Sequence, residues 1–358
     1  MSRQPSQPDN SPPIRVLMVT NLYPYPGYPA YGNFIKGQID SLEPEGVHSR
    51  VLFINGRESK LNYLRSPFDL WRILNREPYD LVHGYFGLGG LVARMQPRLP
   101  LVVSLIGDDL LGQPDRYGRN SPLGHFFQDS SRWLARHSDA VIVMSEEMRR
   151  LAEIPDAIIM GNGVDLELFK PMGRDEACDR VGLDKRKKYV LFPYNPEVLR
   201  KRYDLVDEAV RRARSRLPEL EILTVFRSSH SELATLMNAA DVFVLASYWE
   251  GAPNAVKEAM SVNLPIISAP VGDVPELFEG VSGCYLCEPE PEPLAARIIE
   301  VCSKPRDSRG REKVSSFTIE LVARRLVNLY RRLLGRAEID ESAFPPRPCV
   351  QRKTESTP

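Results

Sequence analysis

Two glutamates eight positions apart, Glu250 and Glu258, bracket Gly251, Ala252, Pro253 and Asn254 in the segment EGAPNAVKEAM. The preceding DVFVLAS reads as a buried strand and AVKEAM as a helix, so Glu250 falls on a strand-to-helix loop and Glu258 inside the helix. A proline near a first helical turn is pre-organised, and the free N–H groups there form an anion site. Two carboxylates around such a turn suit a ligand with a diphosphate in its middle and hydroxyls at both ends, a nucleotide sugar. The plain alternative is an ordinary βα corner with solvated glutamates, and the rest of the chain has to decide between them.

Other segments offer chemistry at the ends of apolar runs. NLYPYPGYPAYGNF carries Gly32, where backbone can come close to a ligand. FPYNPEVLRKRYDL sets Arg200, Lys201 and Arg202 in a row ahead of a helix, either holding a phosphate or facing solvent. VVSLIGDDLLG places Gly107, Asp108 and Asp109 together. Asp108 there reads as a ligand contact or Asp109 as a helix cap, with neither favoured. His83, ending DLVHGY, reads as a satisfied structural histidine, and His48, His125, His137 and His230 support no triad or metal cluster. Cys284 and Cys287 form one CxxC with no second pair or nearby histidine, which alternation on a short strand explains.

The elements that must position these residues alternate as in a parallel sheet. IRVLMVT, SRVLFI, DLVHGY, PLVVSLIG, AVIVMS and AIIMGNG read as strands, with YGNFIKGQIDSL, SPFDLWRILNR and PLGHFFQDSSRWLARH as helices between them. After NGVDLELFKPMG the alternation restarts, from KYVLFP to VPELFEG. The chain therefore reads as two doubly wound α/β domains, over residues 14–170 and 186–317, whose ligand site is the cleft beyond the strands' carboxyl ends. FTIELVARRLVNLYRRLL is an amphipathic helix over about 318–335, and 1–13 and 337–358 read as disordered tails. Joint residues Gly161 and Asn162 should face the cleft.

Composition narrows the classes. The chain of 358 residues carries 47 Lys plus Arg against 47 Asp plus Glu, so nothing in its charge asks for nucleic acid. Five cysteines argue against a disulfide framework. No run approaches the roughly 18 apolar residues of a spanning helix, and the first thirteen residues lack a signal-peptide core, so the expected location is cytoplasmic or at the inner face of the membrane. In SPFDLWRILNREP, apolar Phe68, Leu70, Trp71, Ile73 and Leu74 stand beside Arg65, Arg72 and Arg76, a pattern that fits an anionic surface or a helix packed on its sheet.

The stretch MNAADVFVLASYWEGAPNAVKEAMSVNLPIISAPVGDVPEL resembles retaining glycosyltransferase family four, through its Glu, seven residues, Glu signature, and is especially similar to the teichuronic-acid and cell-surface polysaccharide branch. The resemblance runs from Ile14 to about Leu334 and implies the GT-B architecture, with the C-terminal helix crossing back onto the first domain. It implies that Glu258 holds the nucleotide ribose and Glu250 the transferred sugar, with the N–H groups of Gly251, Ala252 and Asn254, in the turn they form with Pro253, beside sugar and phosphate. Gly32 is carried over to the donor diphosphate, and Lys201 to its phosphate lysine, with Arg202 or Arg200 as helper. Where the family commonly has a histidine before glycine, this chain has Ile106, then Gly107 and Asp108 near the sugar.

The implied activity is retaining transfer of a sugar from a nucleotide-diphosphate sugar to a growing cell-envelope, exopolysaccharide or lipid-linked glycan, with no metal and no cofactor. Lys201, Arg202 and Glu250 would carry the catalysis. Two rivals share the cleft: a non-transferring nucleotide-sugar epimerase, for which Asp108 and His83 are the only acid and base on offer, and a catalytically silent binder, suggested by Ile106.

Overall fold

A computed structural model describes residues 12–28, 31–112, 119–226 and 228–341. The first domain is built on parallel strands β1 (Ile14–Thr20), β2 (Val47–Phe53), β3 (Leu81–Tyr85), β4 (Leu101–Leu105), β5 (Ala140–Val143) and β6 (Ile158–Ile159), in the spatial order β2-β1-β3-β4-β5-β6. Its helices are α1 (Asn33–Leu42), α2 (Leu61–Leu74), α3 (Phe86–Ala93), α4 (Asp108–Leu111), α5 (Pro122–Arg136) and α6 (Glu146–Ala152). β3 and β4 are buried at every position, which is why they read as unbroken apolar runs rather than alternating ones.

The second domain starts with α7 (Arg174–Val181) and continues through β7 (Lys188–Phe192), α8 (Tyr203–Ala213), β8 (Leu220–Thr224), α9 (His230–Ala239), β9 (Val242–Leu245), α10 (Asn254–Ser261), β10 (Ile266–Ser268), α11 (Val274–Phe278), β11 (Cys284–Leu286), α12 (Pro291–Cys302) and α13 (Gly310–Val314). Its parallel sheet runs β11-β10-β9-β7-β8. The last helix, α14 (Ile319–Leu333), is started by Thr318, whose hydroxyl accepts from Leu321 N–H. It lies against α1 and buries Val322, Leu326, Val327 and Tyr330 in the core of the first domain.

Several boundaries differ from the sequence reading. α2 begins at Leu61, a turn and a half before the expected Ser66, and runs through Pro67. Its apolar residues divide: Leu70 is buried, Ile73 and Leu74 pack against the core, and Phe68 and Trp71 are exposed. α3, FGLGGLVA, was not expected because it has no apolar period and three glycines. Glycines on the helix and on the strand beneath let it press onto the sheet: a Cβ on Gly84 of β3 would come 2.6 Å from Gly90 Cα, and one on Gly89 of the helix 3.0 Å from the Val19 carbonyl. The joint belongs to the second core, through Val164 and Phe169, so the first domain's core ends near Met160. Ala337–Glu341, read as tail, turn back along α14, where Asn328 donates to the Ile339 carbonyl and accepts from its N–H. The other expected tail residues, 1–11 and 342–358, lie outside the described residues.

Candidate functional site

The carboxyl ends of β1, β3, β4, β7 and β9 converge on a cleft between the domains. Two cavities of about 610 and 600 Å3 share Asn33, Phe34, Asn162, His230, Asn254 and Glu258 as a common wall. β9 leads directly to Glu250, which is buried on the second-domain side. Its Oε1 accepts from Lys201 Nζ at 2.5 Å and from the Ser247 hydroxyl at 2.6 Å, while Arg200 Nη1 approaches Oε2 at 2.7 Å. Burial alone would raise this carboxyl, but Lys201 and Arg200 hold it down to about 2. Burial in turn pulls the Lys201 ammonium down to about 8, against the attraction of Glu250.

Of the two arginines considered as helper, the fold brings Arg200 to the cleft. Its guanidinium donates to the Trp249 carbonyl and lies 3.5 Å from Asp108 Oδ1, so it joins residues of both domains. Arg202 is turned aside: it has a left-handed φ of 53°, donates to the Pro289 carbonyl, and its guanidinium stacks on Tyr248. Of the residues read from sequence as catalytic, Lys201 and Glu250 meet at the cleft, where Arg200 joins them, whereas the left-handed turn at Arg202 carries its side chain to Pro289 and Tyr248.

Glu258, one helical turn into α10, lines both cavities and makes no hydrogen bond or ion pair among the described residues. Burial pushes its carboxyl up to about 7. Its neighbour Lys257 does not pair with it, being buried and paired with Asp273 at 3.2 Å. Gly251, Ala252, Pro253 and Asn254 line the same space. Pro253 precedes α10 with no side-chain cap, so the first N–H groups of that helix face the cavity without a helical partner.

Across the cleft, Gly107 and Asp108 also line the cavity. Asp109, read as a helix cap, instead accepts from the N–H groups of Ile106 and Gly107 and holds the loop, while Asp108 lines the cleft. Burial raises the Asp108 carboxyl, with Arg200 opposing. Gly32 sits at the start of α1 with φ 73°, and a Cβ there would stand 2.6 Å from the Leu22 carbonyl carbon. Its local role is to fold the β1–α1 loop against itself, and its neighbours Asn33 and Phe34 reach the cavity. Gly251 has an equivalent constraint between domains, since a Cβ would be 2.3 Å from the Ile106 carbonyl oxygen. Asn162 Nδ2 donates to Asn254 Oδ1, placing the joint at the cleft.

His83 is removed from this chemistry. It is fully buried, bonded to the Tyr330 and Ser104 hydroxyls at 2.6 and 2.8 Å, and burial depresses it to about 3. The epimerase rival thereby loses the base it needed. Two wall residues had no sequence signal. Tyr194 lies under Lys201 Nζ, 3.6 Å from its ring centroid, and its buried hydroxyl has no hydrogen-bond partner. His230 starts α9 and lines both cavities. Neither has a spacing that marks it, because loop geometry alone brings it inward. Among the described residues, no group of three or more His, Cys, Asp or Glu is placed to hold a metal ion.

Residues 14–153 match the family described as Glycosyl transferase 4-like domain, and residues 201–304 match Glycosyl transferases group 1. Each of these two stretches is thus similar to a glycosyltransferase domain. The D-inositol 3-phosphate glycosyltransferase of Mycobacterium tuberculosis (strain ATCC 25618 / H37Rv) is 25% identical over an alignment of 309 residues, covering 72% of this chain. The chain spans 62% of the length of that relative. Among solved structures, sucrose-phosphate synthase from Thermosynechococcus elongatus superposes with a TM-score of 0.75 at 18% identity, covering 90% of this chain and 99% of that one. Anabaena HepE in complex with UDP gives 0.65 at 17%, covering 89% and 100%. These likenesses establish the GT-B fold of two facing Rossmann-like domains.

Proposed function

We propose that this protein is a glycosyltransferase that moves a sugar, with retention at the anomeric carbon and without a metal ion, from a nucleotide-diphosphate sugar to a growing cell-envelope, exopolysaccharide or lipid-linked glycan acceptor. The observation that carries the reading is the cleft cluster itself: Glu250 tied to Lys201 and Arg200 on one wall, with unpartnered Glu258 on the same cavity. Glu258 would accept from the ribose hydroxyls and Glu250 from the transferred sugar. As the bond from the anomeric carbon to the phosphate oxygen breaks, Lys201, Arg200 and the α10 N-terminus would meet the charge that grows on the diphosphate. The acceptor oxygen would bond to the anomeric carbon from the same face, and its proton would pass to the departing phosphate oxygen. That route asks for no histidine at Ile106. Related structures hold UDP and UDP-glucose in Anabaena HepE, which makes them the first donors to try.

No helix among the described residues is long and apolar enough to cross a membrane. We infer a peripheral contact instead, through the exposed side of α2. The activity test is incubation with single nucleotide sugars in the presence of chelator, followed by nucleotide diphosphate release and NMR of the early product. Release with retained anomeric configuration supports the reading. Inversion, or activity that appears only with added manganese or magnesium, overturns it.

A further inference from the structure

Tyr194 follows the last residue of β7 by two positions and lines the cavity that Glu250 and Glu258 share. Its ring rests against two neighbouring strands, meeting Phe192 of β7 edge-on at 5.4 Å and Phe243 of β9 at 6.3 Å between centroids. Over its face, 3.6 Å from the centroid, lies Lys201 Nζ. The hydroxyl is buried without a hydrogen-bond partner among the described residues, so the ring is the part of this side chain that makes contact.

The charge on Lys201 stands at the end of a flexible stem that rises from a short turn, Leu199–Lys201, just before the left-handed Arg202. An ammonium has three donors, and Glu250 Oε1 takes one of them at 2.5 Å. Burial and then the neighbouring Arg200 guanidinium work against the charged form, while Glu250 and, with a smaller effect, Asp108 favour it. Glu258 of α10 and His230 of α9 line the same cavity. The π-face adds an attraction for the ammonium without setting another anion where a diphosphate has to bind. A carboxylate in the ring's place would hold the lysine and repel the ligand.

We propose that Tyr194 is a positioning residue: the face of its ring holds the Lys201 ammonium where it meets the donor diphosphate. The role rests on the cleft being the donor site, as proposed above. It uses nothing of the phenol's proton, which burial keeps on the oxygen to well above the usual range, so the ring stays neutral while Lys201 titrates at about 8.

The test compares Tyr194→Phe, which keeps a ring, with Tyr194→Met, which fills the space with a flexible apolar chain. In NMR of protein carrying isotopically labelled lysine, the Lys201 signal is identified by its loss in Lys201→Ala. Its ε-methylene should be shifted upfield by the ring current in wild type and Tyr194→Phe and not in Tyr194→Met. The same signal should titrate in Tyr194→Met about one pH unit below wild type, a tenfold loss of preference for the charged form. By calorimetry UDP, which carries the charge of the leaving group, should bind Tyr194→Met about tenfold more weakly than wild type, and uridine equally well. Tyr194→Phe should keep UDP affinity within about twofold and, having lost an unmet buried hydroxyl, a thermal midpoint no lower than wild type. An unshifted ε-methylene in the wild type overturns the contact. Equal loss of UDP affinity in both variants overturns the ring's role in favour of the hydroxyl, and wild-type affinity in Tyr194→Met means that Lys201 is held without either. Failure of both UDP and uridine to bind the wild type overturns the donor reading instead, while the ring-current shift still decides the contact.

Discussion

Lys201 and Glu258 should separate by kinetics because the charge each meets changes differently during transfer. Lys201→Ala removes a charged hydrogen bond from a leaving group that gains charge, so turnover should fall about 10- to 100-fold with a smaller change in donor affinity. Glu258→Gln should chiefly raise the donor Michaelis constant, about tenfold, with turnover at saturation closer to normal. Similar rises in Michaelis constant for both variants would contradict the division. Arg200→Ala should behave as Lys201→Ala does, and Arg202→Ala should stay within about twofold of wild type, since its partners are Pro289 and Tyr248. Glu258 also makes a pH prediction. Its folded carboxyl is raised to about 7 from 4.5, so the stabilisation from holding that proton is complete below 4.5 and lost as pH rises through about 7. Ribose hydroxyls donating to it favour the ionised form, so nucleotide binding should release a proton at pH below 7 and tighten as pH rises. Calorimetry in buffers of different ionisation enthalpy should detect that proton in wild type and not in Glu258→Gln, a contrast that sets aside Asp109, raised by burial to about 6. The glutamate pair was legible because its spacing and turn are local. Which of three consecutive cations enters the cleft was not, because it depends on a left-handed φ at Arg202 that an arginine does not advertise.

At the scale of elements, strands flanked by polar ends were readable from apolar runs alone, and α14 from its amphipathic 3.6-residue period. α3 escaped because close packing of Gly84 and Gly90, not an apolar stripe, holds it on the sheet. α2 begins ahead of its expected start even though Pro67 lacks the N–H that the Tyr63 carbonyl would accept, and the Ser66 hydroxyl donates to that carbonyl instead at 2.9 Å. The β9–α10 turn supports a sharper test. Gly251 packs across the cleft on the Ile106 carbonyl, and backbone faces backbone there, so neither side can rotate away. Gly251→Ala should hold the domains apart, lowering turnover and donor affinity each at least about tenfold. Small-angle scattering should show a larger radius of gyration, with the helical content by circular dichroism unchanged. A variant of wild-type dimensions and activity would mean that the close approach is not needed for the donor site.

For the whole molecule, the alternating pattern foretold two sheets facing a cleft, but the surface each helix leaves to solvent could only be seen once the sheets were assembled. α2 is the case in point. Leu70 turns inward, while Leu61, Leu64, Phe68 and Trp71 are 69, 78, 60 and 59% exposed. Their spacing of three and four residues puts them on one side of the helix, beside Lys60 and Arg72. An exposed apolar row edged by cations fits the boundary of an anionic bilayer, where the apolar residues enter the acyl region and each nearby cation contributes about 1 kcal/mol. Because that electrostatic share is screened by salt while the apolar share is not, binding should weaken with ionic strength without vanishing. Co-sedimentation with vesicles containing phosphatidylserine should therefore be strong at low salt and reduced at physiological salt. Leu64→Ser with Trp71→Ser should cut it at least about tenfold at both, since each change removes an exposed group of roughly 2 kcal/mol from the apolar phase. These two side chains point away from the cleft, so the double variant should keep its turnover on soluble substrates. Loss of vesicle binding confined to lipid-linked acceptors would tie the helix to substrate delivery, and a wild-type protein that stays in the supernatant at low salt would remove the membrane from its function.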